Sequence, residues 1–140
     1  MNGLQAVTAL AQYLSENIDF DEYKVRVFKC VKLTAYNGDY IVVNSLPFTT
    51  GYSAESAVLN VNVHVQALTT GEVNTQRLEQ LQALIETLIP SEMTRIESQE
   101  DTLVLDGCEF LRYCDSNAIA DNDKTFFINN KVKVYTYYGS

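Results

Sequence analysis

The chain contains one histidine, His64, the natural first candidate for acid–base or metal chemistry. It stands in the run Val63-His64-Val65, with Asn62 and Gln66 next along the same face of a strand. Neither amide orients an imidazole for proton transfer, and no second His, Asp or Glu stands nearby at metal-ligand spacing. His64 therefore reads as a surface or interface residue. Three groups of acids invite a two-carboxylate reading: Asp19, Asp21 and Glu22; Glu97, Glu100 and Asp101; and Asp121 with Asp123. A calcium loop needs regularly spaced oxygen ligands, a turn glycine and a closing Glu, and the run Asp121-Asn122-Asp123 lacks that pattern. A glycosidase pair leaves no local signature, since its partners meet only in space, so these acids read as solvated loops. The cysteines Cys30, Cys108 and Cys114 form no CxxC, and their odd number fits free, buried thiols in a reducing interior. Cys108 and Cys114 flank a strand at even spacing and would share a face, roughly 20 Å apart and too far to pair. No GxSxG elbow is present, and the six glycines are too scattered to cradle a phosphate. No catalytic, cofactor-binding or metal-binding residue is assigned on these grounds, and the chain does not read as an enzyme.

Composition sets the frame for that reading. A chain of 140 residues, 46% hydrophobic and 20% charged, fits one globular domain able to build a core without disulfides or metal. The formal net charge of −8 argues against a general grip on nucleic acid and against adsorption to anionic lipid. The acidity either aids solubility or lines a channel through which DNA slides without sticking. Nine Tyr and six Phe, with no Trp, suit strands and protein interfaces. No apolar run approaches the ~20 residues needed to cross a bilayer. Residues 1–16 lack a basic segment followed by a long apolar one. The expectation is a soluble protein of the cytoplasm.

The elements that must hold these residues follow from periodicity. Leu4, Val7, Leu10, Ala11 and Leu14 recur at helical spacing and predict a helix over 2–16, stopping near Asn17. Residues 24–34 alternate, with Val25, Val27, Val31 and Leu33 on one face, and predict a strand. The Asn37-Gly38 pair then predicts a tight hairpin into a return strand over 40–46. Residues 47–57 read as a loop, and 58–66 as a half-buried strand with Asn60, Asn62, His64 and Gln66 outward. Asn74 is a good N-cap for a helix over 75–89, whose stripe is Leu78, Leu81, Leu84, Ile85, Leu88 and Ile89, and Pro90 ends it. Strands follow over 94–105, 108–114 and 124–138, the last interrupted at Asn129-Asn130, with a polar loop over 115–123. The fold class is α+β: an antiparallel or mixed sheet of about five or six strands, with two helices on one face, in a single domain 1–140.

The stretch Asn60 to Leu88 resembles the tail terminator and tail completion, or head–tail joining, proteins of long-tailed bacteriophages. The resemblance is carried by Asn60-Val61-Asn62-Val63-His64-Val65, the short loop through Leu68 and Gly71, and Asn74-Thr75-Gln76-Arg77-Leu78 opening a helix. The closing strand Val132-Lys133-Val134-Tyr135-Thr136-Tyr137 and the N-terminal helix fit the same order. Two departures stand beside it: Gln66-Ala67 where the family often has Pro-Asp, and a longer insert over 115–123. The resemblance implies a homo-oligomeric ring, a hexamer in that family, that ends the tail tube and docks to the head–tail connector while DNA passes through unbound. It implies a structural virion or prophage protein, present in the host cytoplasm during assembly and then in the tail or neck, with no cofactor and no membrane. The alternative is a small non-enzymatic module whose sheet holds a ligand or peptide. An enzyme would need a cleft that gathers His64, a carboxylate and a cysteine.

Overall fold

The computed structural model describes residues 2–45, 56–93, 102–121 and 124–136. Helix α1 (Gly3–Asn17) opens on Asn2, whose Oδ1 accepts from the Gln5 N–H at 2.8 Å. Gln5 Oε1 in turn accepts from the Asn2 N–H at 2.9 Å. This reciprocal box satisfies donors that a helix start otherwise leaves open. Ala6, Val7, Leu10, Ala11 and Leu14 are buried. Leu4, expected on that stripe, is 61% exposed. At about 100° per residue it falls just outside the arc that those side chains span.

A one-turn helix, α2 (Phe20–Tyr23), lies where only loop was expected. Asp19 caps it, and Lys24 ends it in the left-handed region at φ 55°.

Strand β1 (Val25–Lys29) pairs parallel with β2 (Asp39–Ser45), from Val25 opposite Asp39 to Lys29 opposite Val43. The expected hairpin would have made them antiparallel. The strand over 24–34 is also cut short, because Cys30 turns to φ 71° while its N–H donates to Val43 O at 2.8 Å. Residues 30–38 then return across the sheet, so Asn37-Gly38 ends a crossover instead of closing a hairpin. Val31 and Leu33, expected to be buried in that strand, are 75% and 65% exposed. Gly38 packs closely: a Cβ there would lie 2.7 Å from the Tyr36 hydroxyl oxygen, so a larger residue would have to displace that ring.

Strand β3 (Ser56–Gln66) runs antiparallel to β2 on one side and to β7 (Thr125–Thr136) on the other. Beyond β7 lie β5 (Cys108–Asp115) and β4 (Val104–Leu105), giving the order β1-β2-β3-β7-β5-β4. A short β6 (Ile119–Ala120) also pairs with β7, inside the stretch expected to be loop. The sheet is mixed, and the fold is α+β as expected. Of the strand expected over 94–105, residues 94–101 lie outside the described residues. So do most of the loop over 47–57 and the last residues of the final strand. Strand β7 runs through Asn129-Asn130 without the expected break.

Helix α3 (Thr75–Leu88) opens on Asn74, whose side chain accepts from the Arg77 N–H at 3.2 Å. It buries Leu78, Leu81, Gln82 and Ile85, while Leu84 and Leu88 are half-buried. The hydrophobic core lies between the two long helices and one face of the sheet: Val7, Leu10 and Leu14 of α1 and Leu81 and Ile85 of α3 meet Ile41, Val43, Leu59, Val61, Val63 and Val132. Tyr13 ties the helices together by donating to Leu88 O at 2.7 Å. Burial of these branched side chains in strands and leucines in helices is the main stabilising term, about 1.5–3 kcal/mol for each fully buried side chain.

Candidate functional site

Among the described residues α1 and α3 both pack on the core face of the sheet, and the alternation of β2, β3 and β7 gives the other face its chemistry. Tyr40, His64 and Phe127 stand side by side on these three strands. Their rings stack, with centroids 4.4 Å apart for Tyr40–His64 and 4.8 Å for His64–Phe127, and interplanar angles of 8° and 22°. His64 is therefore buried between two rings within the chain, so of the surface-or-interface expectation the surface position does not hold. Both faces of the imidazole are covered, and this aromatic sandwich stitches three strands together. Its Nδ1 lies 3.6 Å from Asp121 Oδ2, which is ion-pair range and longer than a hydrogen bond.

One step along the same strands, the aromatic row gives way to amides. Asn129 Nδ2 donates to Asn62 Oδ1 at 2.6 Å and to Asn60 Oδ1 at 3.1 Å. Asn60 Nδ2 donates to Asn44 Oδ1 at 2.9 Å, and Lys131 Nζ donates to Asn60 Oδ1 at 3.1 Å. Asn60 stands at the centre of this ladder, donating to Asn44 and accepting from Asn129 and from the charged Lys131, which offsets the cost of holding these polar side chains half-buried.

The crossover 30–38 roofs part of this face and leaves a groove of about 650 Å³. Lys32, Tyr36, Asn44, Asn62, Gln66 and Thr125 are among the residues lining it. Tyr36 packs edge-on against Phe28 and Tyr40, and its hydroxyl donates to Asp39 O at 2.8 Å. Burial raises its phenol pKa above the ordinary value, Asp39 adds to that rise, and Arg26 opposes it. At one end of the groove Asp39 takes two donors, the Gln66 N–H at 2.9 Å and Arg77 Nε at 2.8 Å. Arg77 also donates to Tyr23 O and to Gln80 Oε1. One guanidinium thus joins α2, β2 and α3.

The acids and thiols singled out in the sequence do not converge. Asp19, Asp21 and Glu22 are exposed on and beside α2. Among the described acids singled out, Asp121 alone approaches His64; Glu97, Glu100, Asp101 and Asp123 lie outside the described residues. All three cysteines are free, but only Cys108 is buried. Cys30 is exposed at the turn out of β1 and borders the groove. A β-bulge between Arg112 and Cys114 breaks the alternation that would have put Cys114 on the buried face of Cys108. Among the described residues, no group of three or more His, Cys, Asp or Glu is placed to hold a metal ion. Among the same residues, no helix is long and apolar enough to cross a membrane.

Two residues that matter here carried no sequence signal. Arg112 donates from Nε to Ile89 O at 2.7 Å and from a terminal nitrogen to Glu86 O at 3.5 Å, so a strand cation caps the C-terminus of α3. Burial lowers its pKa, and Glu86 and Asp115 oppose that shift. Thr125 is buried, and among the described residues its hydroxyl has no hydrogen-bond partner.

The chain matches no protein-family model and no curated protein.

Proposed function

We propose that this chain is a structural protein of a bacteriophage tail or prophage, which closes with copies of itself into a ring. The ring ends the tail tube and joins it to the head–tail connector, and DNA passes through it without specific binding. The protein works by geometry, with no reaction of its own, first in the host cytoplasm during assembly and then in the virion.

The observation that carries the reading is the open sheet. Among the described residues it ends at β1 on one side and at the two-residue β4 on the other. Large apolar side chains stand in water near both ends: Val31 and Leu33 on the crossover that follows β1, and Val104, Tyr113 and Ile119 on β4, β5 and β6. Exposed edges and apolar groups of this kind are what association covers. The segment that resembles tail terminators builds β3, the turn held by the Gly71 N–H on Leu68 O, and the capped start of α3.

Negative-stain imaging of the purified chain mixed with polymerising tail-tube protein tests this proposal. Caps at one tube end, with shortened tubes, are the expected result. Tubes of unchanged length with no cap contradict it. A second reading, a module that holds a small ligand or peptide, is favoured by the polar-lined groove beside Tyr36 and Asn62. Saturable binding of a short peptide, with no self-association, would select it.

A further inference from the structure

The groove on the open face differs in charge from the chain that holds it. The chain carries a net charge of −8, yet none of the described residues lining the groove is an Asp or a Glu. Two acids stand near it, and both face other partners. Asp39 receives Arg77 Nε and the Gln66 N–H. Asp121 lies 3.6 Å from His64 Nδ1. The cation inside the groove is Lys32, half-buried on the crossover. Its Nζ donates to Tyr36 O at 3.1 Å and lies 5.4 Å from the centre of the Tyr40 ring. An ammonium has three N–H donors, so two remain. Among the described residues no carboxylate pairs with it.

Amide donors continue from that ammonium along the strands. Asn62 is the diagonal neighbour of Tyr40 across the β2–β3 pairing, and Asn44 is the diagonal neighbour of Asn62. Each such step is about 7–8 Å. Asn62 Oδ1 accepts from Asn129, and Asn44 Oδ1 accepts from Asn60. Among the described residues the N–H groups of both amides donate to nothing. Thr125, 2% exposed and paired with Gln66, lines the same groove. Its hydroxyl has no partner among the described residues, and burying it so costs stability until a polar group meets it. A volume of about 650 Å³ that offers positive charge and N–H donors, with no competing acid, suits a small organic anion. No Arg and no Gly lines it, so the fork and the backbone cradle that recognise phosphate are both missing.

Resting on the groove of the second reading above, and not on assembly, we propose that this groove binds a small organic carboxylate. Lys32 Nζ and the Asn62 amide donate to the carboxylate oxygens, and the Asn44 amide meets an acceptor farther along the molecule. The carboxylate gives Lys32 the counter-charge that a carbonyl and a ring do not, and a bond between two charged groups is the stronger kind. A free dicarboxylate and the C-terminal end of a short peptide share this chemistry, and the test separates them.

Titration of the full chain with succinate, followed in proton–nitrogen correlation spectra, tests the proposal. The side-chain amide signals of Asn62 and Asn44 should move saturably. Succinamide has the same shape without the charge and should bind about tenfold more weakly or worse. Lys32→Gln should weaken succinate by a similar factor. Asn62→Asp keeps the acceptor that Asn129 uses but sets a like charge beside the ligand, so it should abolish binding. Acetyl-Gly-Gly with a free carboxylate stands for a peptide end. Tighter binding than succinate names a peptide terminus as the source, weaker binding names a free acid, and either supports the carboxylate. No saturable shift with succinate or acetyl-Gly-Gly overturns the proposal. Succinamide that binds as tightly as succinate also overturns it, yet leaves the second reading standing for a neutral ligand, so the two failures are distinct. If Lys32→Gln loosens the crossover, the comparison of succinate with succinamide on the wild type decides without a variant.

Discussion

Gln82 of α3 and Asn130 of β7 exchange two side-chain hydrogen bonds inside the core, 2.7 Å in one direction and 2.9 Å in the other. Asn130 also donates to Val61 O at 3.3 Å, and both residues are buried. A pair satisfied in this way fixes how the helix sits along the strand, because a shift of one residue would leave amides without partners. Replacing one partner alone, as in Gln82→Leu, should destabilise the fold by about 2 kcal/mol by stranding the other amide. Replacing both with apolar residues should cost less than the sum of the single changes. Urea denaturation of the two single variants and the double variant checks both expectations.

The His64 sandwich predicts a graded series. His64→Phe keeps an aromatic ring between Tyr40 and Phe127 and should change stability by no more than about 1 kcal/mol. His64→Ala opens a gap between the two rings and should cost about 3 kcal/mol. Equal losses in the two variants would show that the contact with Asp121, not the stacking, is what the residue supplies.

Arg77 joins α2, β2 and α3 through Tyr23 O, Asp39 and Gln80. Arg77→Lys keeps the charge but loses the planar fork, so it should still lose about 1.5–3 kcal/mol. Thermal unfolding should place Arg77→Lys closer to Arg77→Met than to the wild type.

Alkaline pH should weaken the protein. Burial raises the phenol pKa of Tyr13 and that of Tyr36 above the ordinary value. A group whose pKa is raised on folding contributes stability that is intact below its unfolded pKa, near 10, and that is lost as pH climbs through the raised value. Stability from this source should be flat up to about pH 9 and fall above pH 10. Tyr13→Phe should shallow that fall, at a cost of about 1 kcal/mol at neutral pH for the bond to Leu88 O. Guanidinium denaturation from pH 8 to 11 reads both.

What the sequence revealed depended on how local the physics was. The Asn74 cap, the α3 stripe and the outward row Asn60, Asn62, His64 and Gln66 are set within a few residues, and the periodicity exposed them. The β1–β2 pairing is decided instead by Cys30 entering the left-handed region, a choice that alternation and an Asn-Gly signal do not register. The burial of Gln82 and Asn130 was invisible because each reads as polar alone and only their meeting across the core makes burial affordable. Likewise Asp121 reaches His64 through a fold-back that no spacing encodes. The bulge at Arg112 shifted Cys114 to the surface for the same reason, since a single extra residue reverses strand parity.

The central claim is self-association into a closed assembly, and sedimentation velocity of the purified wild-type chain over a wide concentration range tests it most directly. The account predicts one discrete species at an integral multiple of the protomer mass, unchanged as concentration rises further. A monomer throughout, or a continuous ladder of ever larger species, would contradict it.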